Sequence, residues 1–406
     1  MKLKMNYQYT YFIHPFVVKE SKYQKYLLRL IKDKKIRLKT FEKEKDLDLY
    51  NYFLPKYRDF LFSSFSHSKS KLNKLNELPD DTKTAILSKY PCTIFEYILD
   101  EDIQGKSQDK GIFFKIQKIE IICFNSGICF FCMKTNIENS EDFNDVLNFN
   151  YKFRDIKQDG IKKFDKIYLQ TNTFENTSKL TEFIKDLTGS DVESMKLDID
   201  TQRFLTYSYV CIDKEAWNSS SDFNKIEHSY IKYANFLPSD NSVDLKLDKS
   251  DVLSAWKYSK IGFVKQGVTL FSSSEDINNF LDIPEKYENQ YFYTYILNLY
   301  KKIYLKKLEQ EFKIVSNLKK ARKKFIDFTK NLWIQDSTED EIGTDINYKL
   351  SKVLDLDRLY YEIKVKYDIL YKDMNVEKNS KSVALIIAIL LVLLFVNVLS
   401  YIQLLN

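Results

Sequence analysis

Apolar and polar positions alternate from Ile112 to Ile122, resume from Ile128 to Met133, and are separated by Asn125-Ser126-Gly127. A period of two with a glycine-bearing turn predicts an antiparallel hairpin, with Gly127 supplying the positive φ. Tyr7 to Phe16, Arg37 to Phe41 and Phe204 to Ile212 read as further strands. Asp46 to Phe65, Glu141 to Phe149 and Ser178 to Leu187 instead carry apolar residues at helical spacing, and Gly189 ends the last of these. Ile261 to Val264 and Val268 to Phe271 flank Gly267 as a second, smaller hairpin. These elements predict an α+β or α/β domain over residues 1–240 and a structured connection over 241–283.

The pattern changes after Pro284. Up to Trp333 there is no further Gly or Pro, which predicts one helix of about 75 Å. An acidic break at Gln335 to Gly343 follows. Leu356, Leu359, Ile363, Tyr367, Leu370 and Met374 then step by threes and fours, a heptad seam. The expected stalk covers 284–375, its seam packed on the preceding helix or on copies of itself. From Val383 to Ile402 the chain runs almost entirely through Leu, Ile, Val and Phe. Fifteen such residues contribute about 5–9 kcal/mol to membrane insertion, and twenty residues at 1.5 Å match a bilayer, so a single transmembrane helix is expected over 382–403. Lys364, Lys366, Lys372, Lys378 and Lys381 precede this span and no charge follows it. The expectation is therefore a cell-membrane protein, tail-anchored and single-pass, with its N-terminal domain cytoplasmic. Met1 to Val18 lacks the apolar run of a signal peptide.

Composition narrows the function classes. Of 406 residues, 44% are apolar and 15% aromatic, which supplies real cores. A net charge of +6 from 63 basic and 57 acidic residues argues against direct nucleic-acid binding by the whole chain. Five cysteines, an odd number, imply no disulfide framework. Cys129 and Cys132 have metal-like spacing but fall in a strand, where positions three apart face opposite sides. His14, His67 and His228 stand far apart, and no Walker sequence, dinucleotide fingerprint or zinc-protease motif occurs. The reading is not an enzyme, with no catalytic and no metal residue nominated; a membrane-tethered enzyme ranks third.

Two groups are candidate ligand sites. Arg154 could fork onto phosphate or carboxylate while Tyr151 and Phe153 stack on a base, against a structural ion pair as the alternative. The cluster Lys319, Lys320, Arg322, Lys323 and Lys324 reads either as a solvated helix face or as a site for phosphate-bearing ligands or anionic headgroups. Asp336, Glu339, Asp340, Glu341 and Asp345 form either a polar turn or a divalent-cation site. Within the expected span Ala384 and Ala388 lie one turn apart and allow close helix approach. Asn397 there must face a helix partner or water, so all three are candidate pore-lining positions.

The layout as a whole, with Ile119 to Gly127 and Asp145 to Asn150, Phe325 to Trp333 followed by Gly343, and the terminal helix, resembles the CorA-type divalent-cation channels. The chain departs from them in having no second span and no Gly-Met-Asn loop; Asp373-Met374-Asn375 precedes the span. The resemblance implies a CorA-like funnel: a sheet domain, two long helices, and the second continuing into the membrane, as a homo-oligomer that is a pentamer by analogy. It also implies Mg²⁺ or another divalent cation, or a nucleotide ligand, since some CorA-like proteins are membrane effectors of type III CRISPR defence opened by a nucleotide second messenger. The expected function is a channel or pore-forming effector with a cytoplasmic sensor in phage defence. The alternative is a tail-anchored, non-conducting interaction protein.

Overall fold

The computed structural model describes residues 3–66, 74–75, 77–99, 103–107, 112–138, 140–154, 167–170, 178–189, 192–193, 203–242, 247–314, 318–333 and 336–405. It divides into two units, Met1–Tyr304 with Lys330–Leu356, and Leu305–Thr329 with Asp357–Asn406.

The first unit is built on one mixed sheet. Its strands are β1 (Met5–Val18), β2 (Ile36–Lys39), β3 (Cys92–Tyr97), β4 (Ile103–Ser107), β5 (Phe113–Phe124), β6 (Ile128–Glu138), β7 (Ile167–Gln170), β8 (Ser178–Lys179), β9 (Val192–Glu193), β10 (Leu205–Ile212), β11 (Val252–Leu253), β12 (Ser259–Val264) and β13 (Gly267–Ser273). They are ordered β11-β12-β13-β10-β1-β6-β5-β4-β7-β8, with β2 and β3 joining beside β5 and β9 beside β1. Among the described strands only β10 and β13 pair in parallel; the crossover between them carries the helix Phe223–Ala234. The β5–β6 hairpin forms with Gly127 at φ +83°. There a Cβ would sit 2.2 Å from the Val18 carbonyl oxygen. Residues 47–66 form three short helices rather than one, because Phe53 is extended and Pro55 restarts the chain.

Strand alternation gives the sheet two apolar faces. One carries Phe12, Phe114, Ile119, Ile121, Phe131 and Val210 and packs on the helices Tyr23–Lys32, Phe143–Phe153 and Phe223–Ala234. The other carries Tyr9, Tyr11, Phe124, Tyr207 and Tyr209. Against it lies the helix Phe292–Phe312 as far as Tyr304: Tyr11 meets Phe292 at 4.5 Å and Phe124 meets Tyr300 at 4.1 Å between ring centroids.

In the second unit, Leu308, Phe312, Ala321, Phe325, Phe328, Leu359 and Ile363 are buried. Phe325 lies 5.4 Å from Tyr360 and 5.3 Å from Tyr367, and Lys366 pairs with Glu309 at 2.7 Å.

The expected fold is corrected on two counts. The single helix expected from Pro284 to Trp333 runs without a gap from Asp282 to Phe312, with a π-turn at Tyr287–Tyr291, and stops there: Lys313 is a turn and Ile314 is not helical, and a further helix, Leu318–Phe328, runs into a second π-turn at Thr329–Trp333. Absence of Gly and Pro permits a long helix but does not compel one, since helical stability comes chiefly from tertiary packing of an apolar face. The second correction concerns the membrane. Helix Leu356–Leu405 is continuous over 50 residues, but among the described residues no helix is long and apolar enough to cross a membrane. The transmembrane helix at 382–403, the funnel built on it, the cell-membrane, single-pass location and the membrane and channel assignments are therefore not supported.

Candidate functional site

The sequence candidates do not converge. Tyr151 is 39% exposed, while Phe153 lies in the core, 4.4 Å from Phe12 and 5.0 Å from Phe114. Two residues apart on a helix, they point to nearly opposite sides and cannot flank one base. Arg154 is 4% exposed; its Nη1 donates to Gln266 Oε1 at 3.2 Å, and its carbonyl accepts from Phe204 N at 2.7 Å. These contacts tie the end of the helix to β10 and to the turn before β13. On Leu318–Phe328, Lys319, Lys320 and Lys323 are exposed. Lys324 pairs with Glu311 at 2.8 Å, and Arg322 lies over the Tyr367 ring at 5.8 Å. Ala384 and Ala388 are exposed on the terminal helix; the Asn397 side chain lies outside the described residues, as does His67. Asp340 accepts from Gly343 N at 2.7 Å and caps the helix Glu341–Val353. Among the described residues no cluster of His, Cys, Asp or Glu could hold a metal.

What tertiary structure does bring together is a buried charge cluster beneath the first π-turn. Lys118 and Glu120 of β5, Lys134 of β6 and Lys39 of β2 share the sheet face that meets Glu288 of the turn. Glu120 Oε1 accepts from Lys39 Nζ at 2.6 Å and lies 3.3 Å from Lys118 Nζ; Glu288 Oε2 lies 2.6 Å from Lys134 Nζ, and its Oε1 accepts from Tyr11 OH at 2.7 Å. Glu120 is 1% exposed. Burial by itself would raise its carboxyl, but the ammonium groups of Lys118 and Lys39 overcome that and hold it at about 2. Glu288 is likewise held below its ordinary value, burial being outweighed by Lys134 and Lys118.

Phenols satisfy one carbonyl of the same turn and one of the helix leading into it. Tyr9 donates to Pro284 O at 2.8 Å and Tyr207 to Tyr287 O at 2.6 Å, while the Tyr207 and Tyr287 rings stack at 4.1 Å. The cluster thus fixes the helix to the sheet in one register, since sliding either element would strand buried charge. Its signal in sequence was Lys118-x-Glu120, two opposite charges on one face of a strand whose following residues, Ile121 to Phe124, are apolar.

A second feature belongs to the helical unit. Leu385, Ile386, Ile387, Ile389, Leu390, Leu391, Val392 and Leu393 are each between 52% and 64% exposed. Because these positions are nearly consecutive, they cover every side of the helix. Among the described residues, Ala384–Leu393 carries no polar side chain.

No family model, no curated protein and no solved structure matches the chain, so nothing in these comparisons identifies a CorA-like family.

Proposed function

We propose that this protein is a binding protein that assembles as a homo-oligomer through Ala384–Leu393 of its terminal helix, with the sheet unit as the module each copy presents. The observation that carries this reading is the all-round exposure of that apolar stretch. A helix apolar on every side belongs in an interior, and monomers rarely expose contiguous apolar patches beyond a few hundred Å². Eight half-exposed aliphatic side chains present on the order of 800 Å², what one partner gives to a standard interface. A two-helix seam would cover one stripe only, so covering the remaining sides calls for more than two copies. Ala384 and Ala388, one turn apart, supply the flat line along which backbones approach.

Light scattering and cross-linking of the full chain test this, with a parallel vesicle-flotation arm. The expected result is a mass above that of a dimer for the wild type, and a monomer for the Ile386→Asp, Leu390→Asp double variant with the sheet unit still folded. A monomeric wild type, or one that floats with vesicles as a monomer, overturns the reading.

A further inference from the structure

The sheet unit contains a cleft of about 700 Å³ at one end of the sheet, where β1 begins and β6, β10 and β13 end. Its size lies within the range of small-molecule sites. It opens at the carboxyl ends of β10 and β13, the parallel pair, just where Asp213 and Ser274 leave the sheet.

Three carboxamides line it. Asn6 is the extra residue of a β-bulge, sitting between the pairs Met5↔Ile212 and Tyr7↔Cys211, and bulges commonly re-aim a side chain at a site. Its Nδ2 donates to Ser274 Oγ at 2.9 Å, and Gln8 Nε2 donates to Ile137 O at 3.1 Å, which fixes both amides. Asn136 Oδ1 is buried without a hydrogen-bond partner, an arrangement proteins usually avoid. The apolar wall is Tyr7 against Phe280, 6.0 Å between centroids and edge-to-face, with Phe280 46% and Ile277 67% exposed beside it.

Charge selects among ligands. Glu141 and Asp213 outnumber Lys4 on the lining, so phosphates and carboxylates are disfavoured. Carboxamides both donate and accept, as do sugar hydroxyls, and the half-exposed Phe280 ring offers an electron-rich aromatic face on which the C–H side of a sugar ring can stack. We infer that this cleft binds a neutral carbohydrate, held by Asn6, Gln8 and Asn136 and covered by Phe280. The inference is independent of how the terminal helices assemble.

Saturation-transfer NMR and calorimetry on the full chain test it, with glucose, galactose and N-acetylglucosamine as probes and a hexose phosphate and adenosine as comparators. Saturable binding of a neutral sugar is expected, weakened tenfold or more by Asn6→Ala and by Asn136→Ala in protein whose circular dichroism is unchanged. Should either variant unfold, Phe280→Ala, a change at a partly exposed ring, must produce the same loss. Absence of saturation with all three sugars, undiminished binding in the folded variants, or preference for the hexose phosphate or adenosine overturns the inference.

Discussion

Glu120 shows how a single charged residue can be tolerated inside an aromatic core. Removing it leaves Lys39 and Lys118 facing each other without their shared counter-charge, and breaking a buried pair in this way costs about 3–5 kcal/mol. Glu120→Gln is therefore expected to lower unfolding stability by that order in urea titration; a loss comparable to a surface change would mean that the cluster is hydrated. His14, on β1 beside the Phe204 ring, behaves oppositely. Burial lowers its imidazole from 6.5 to about 4, and its Nδ1 has no partner to compensate a charge. The unfolded chain takes up this proton first, so the contribution of neutral His14 is complete above pH 6.5 and is lost as pH falls from there to about 4. His14→Phe should flatten stability against pH in that window, and an unchanged slope would place the titrating group elsewhere. Glu120 works in a lower window: its depressed carboxyl stabilises above 4.5 and ceases to do so as pH falls towards about 2.

At the scale of elements, the β5–β6 hairpin depends on Gly127 twice, for its positive φ and for the close approach of Val18. A Cβ there meets both the left-handed penalty, about 1–2 kcal/mol, and a backbone oxygen that cannot move without opening β1. Gly127→Ala is expected to lower the melting temperature more than an alanine change at neighbouring Asn125, as calorimetry would show; equal effects would mean the hairpin relaxes. The helix that follows Pro284 is the counterexample to reading length from composition. Its π-turn at Tyr287–Tyr291 turns Glu288 onto Lys134 and Tyr11, while the Tyr287 carbonyl accepts from Tyr207 and the Pro284 carbonyl, in the helical turn before it, accepts from Tyr9. No local residue announces this turn, because the partners that stabilise it lie on β1, β6 and β10.

For the whole molecule, the sheet unit's three layers follow from a sheet that is apolar on both faces, and each face needs its own helices. The helical unit ends in an apolar surface that the chain itself does not cover among the described residues, and the proposed oligomer would cover it. Truncation after residue 383 is expected to leave the sheet unit's far-ultraviolet spectrum per residue consistent with a folded mixed sheet while abolishing assembly. Assembly that survives the truncation would assign the contact to another surface.

Period-two and helical spacing along the chain determined the β5–β6 hairpin, strand β10, the helix Phe143–Phe153 and the continuity of the terminal helix, because each is fixed by residues close in sequence. Spacing also exposed Cys129 and Cys132 as opposite-face residues of one strand. The candidate Tyr151, Phe153 and Arg154 failed to form one site because helical geometry sends the first outward and buries the other two. Only the tertiary structure decided the parallel pairing of β10 with β13, the π-turn, the charge cluster and the cleft. Each joins residues far apart in the chain, as Thr206 and Gly267 are at 61 positions and Lys134 and Glu288 at 154, and a contact of that kind leaves no periodic trace in sequence. It arises when two independently stable faces meet and their charges, rings and amides must be satisfied together.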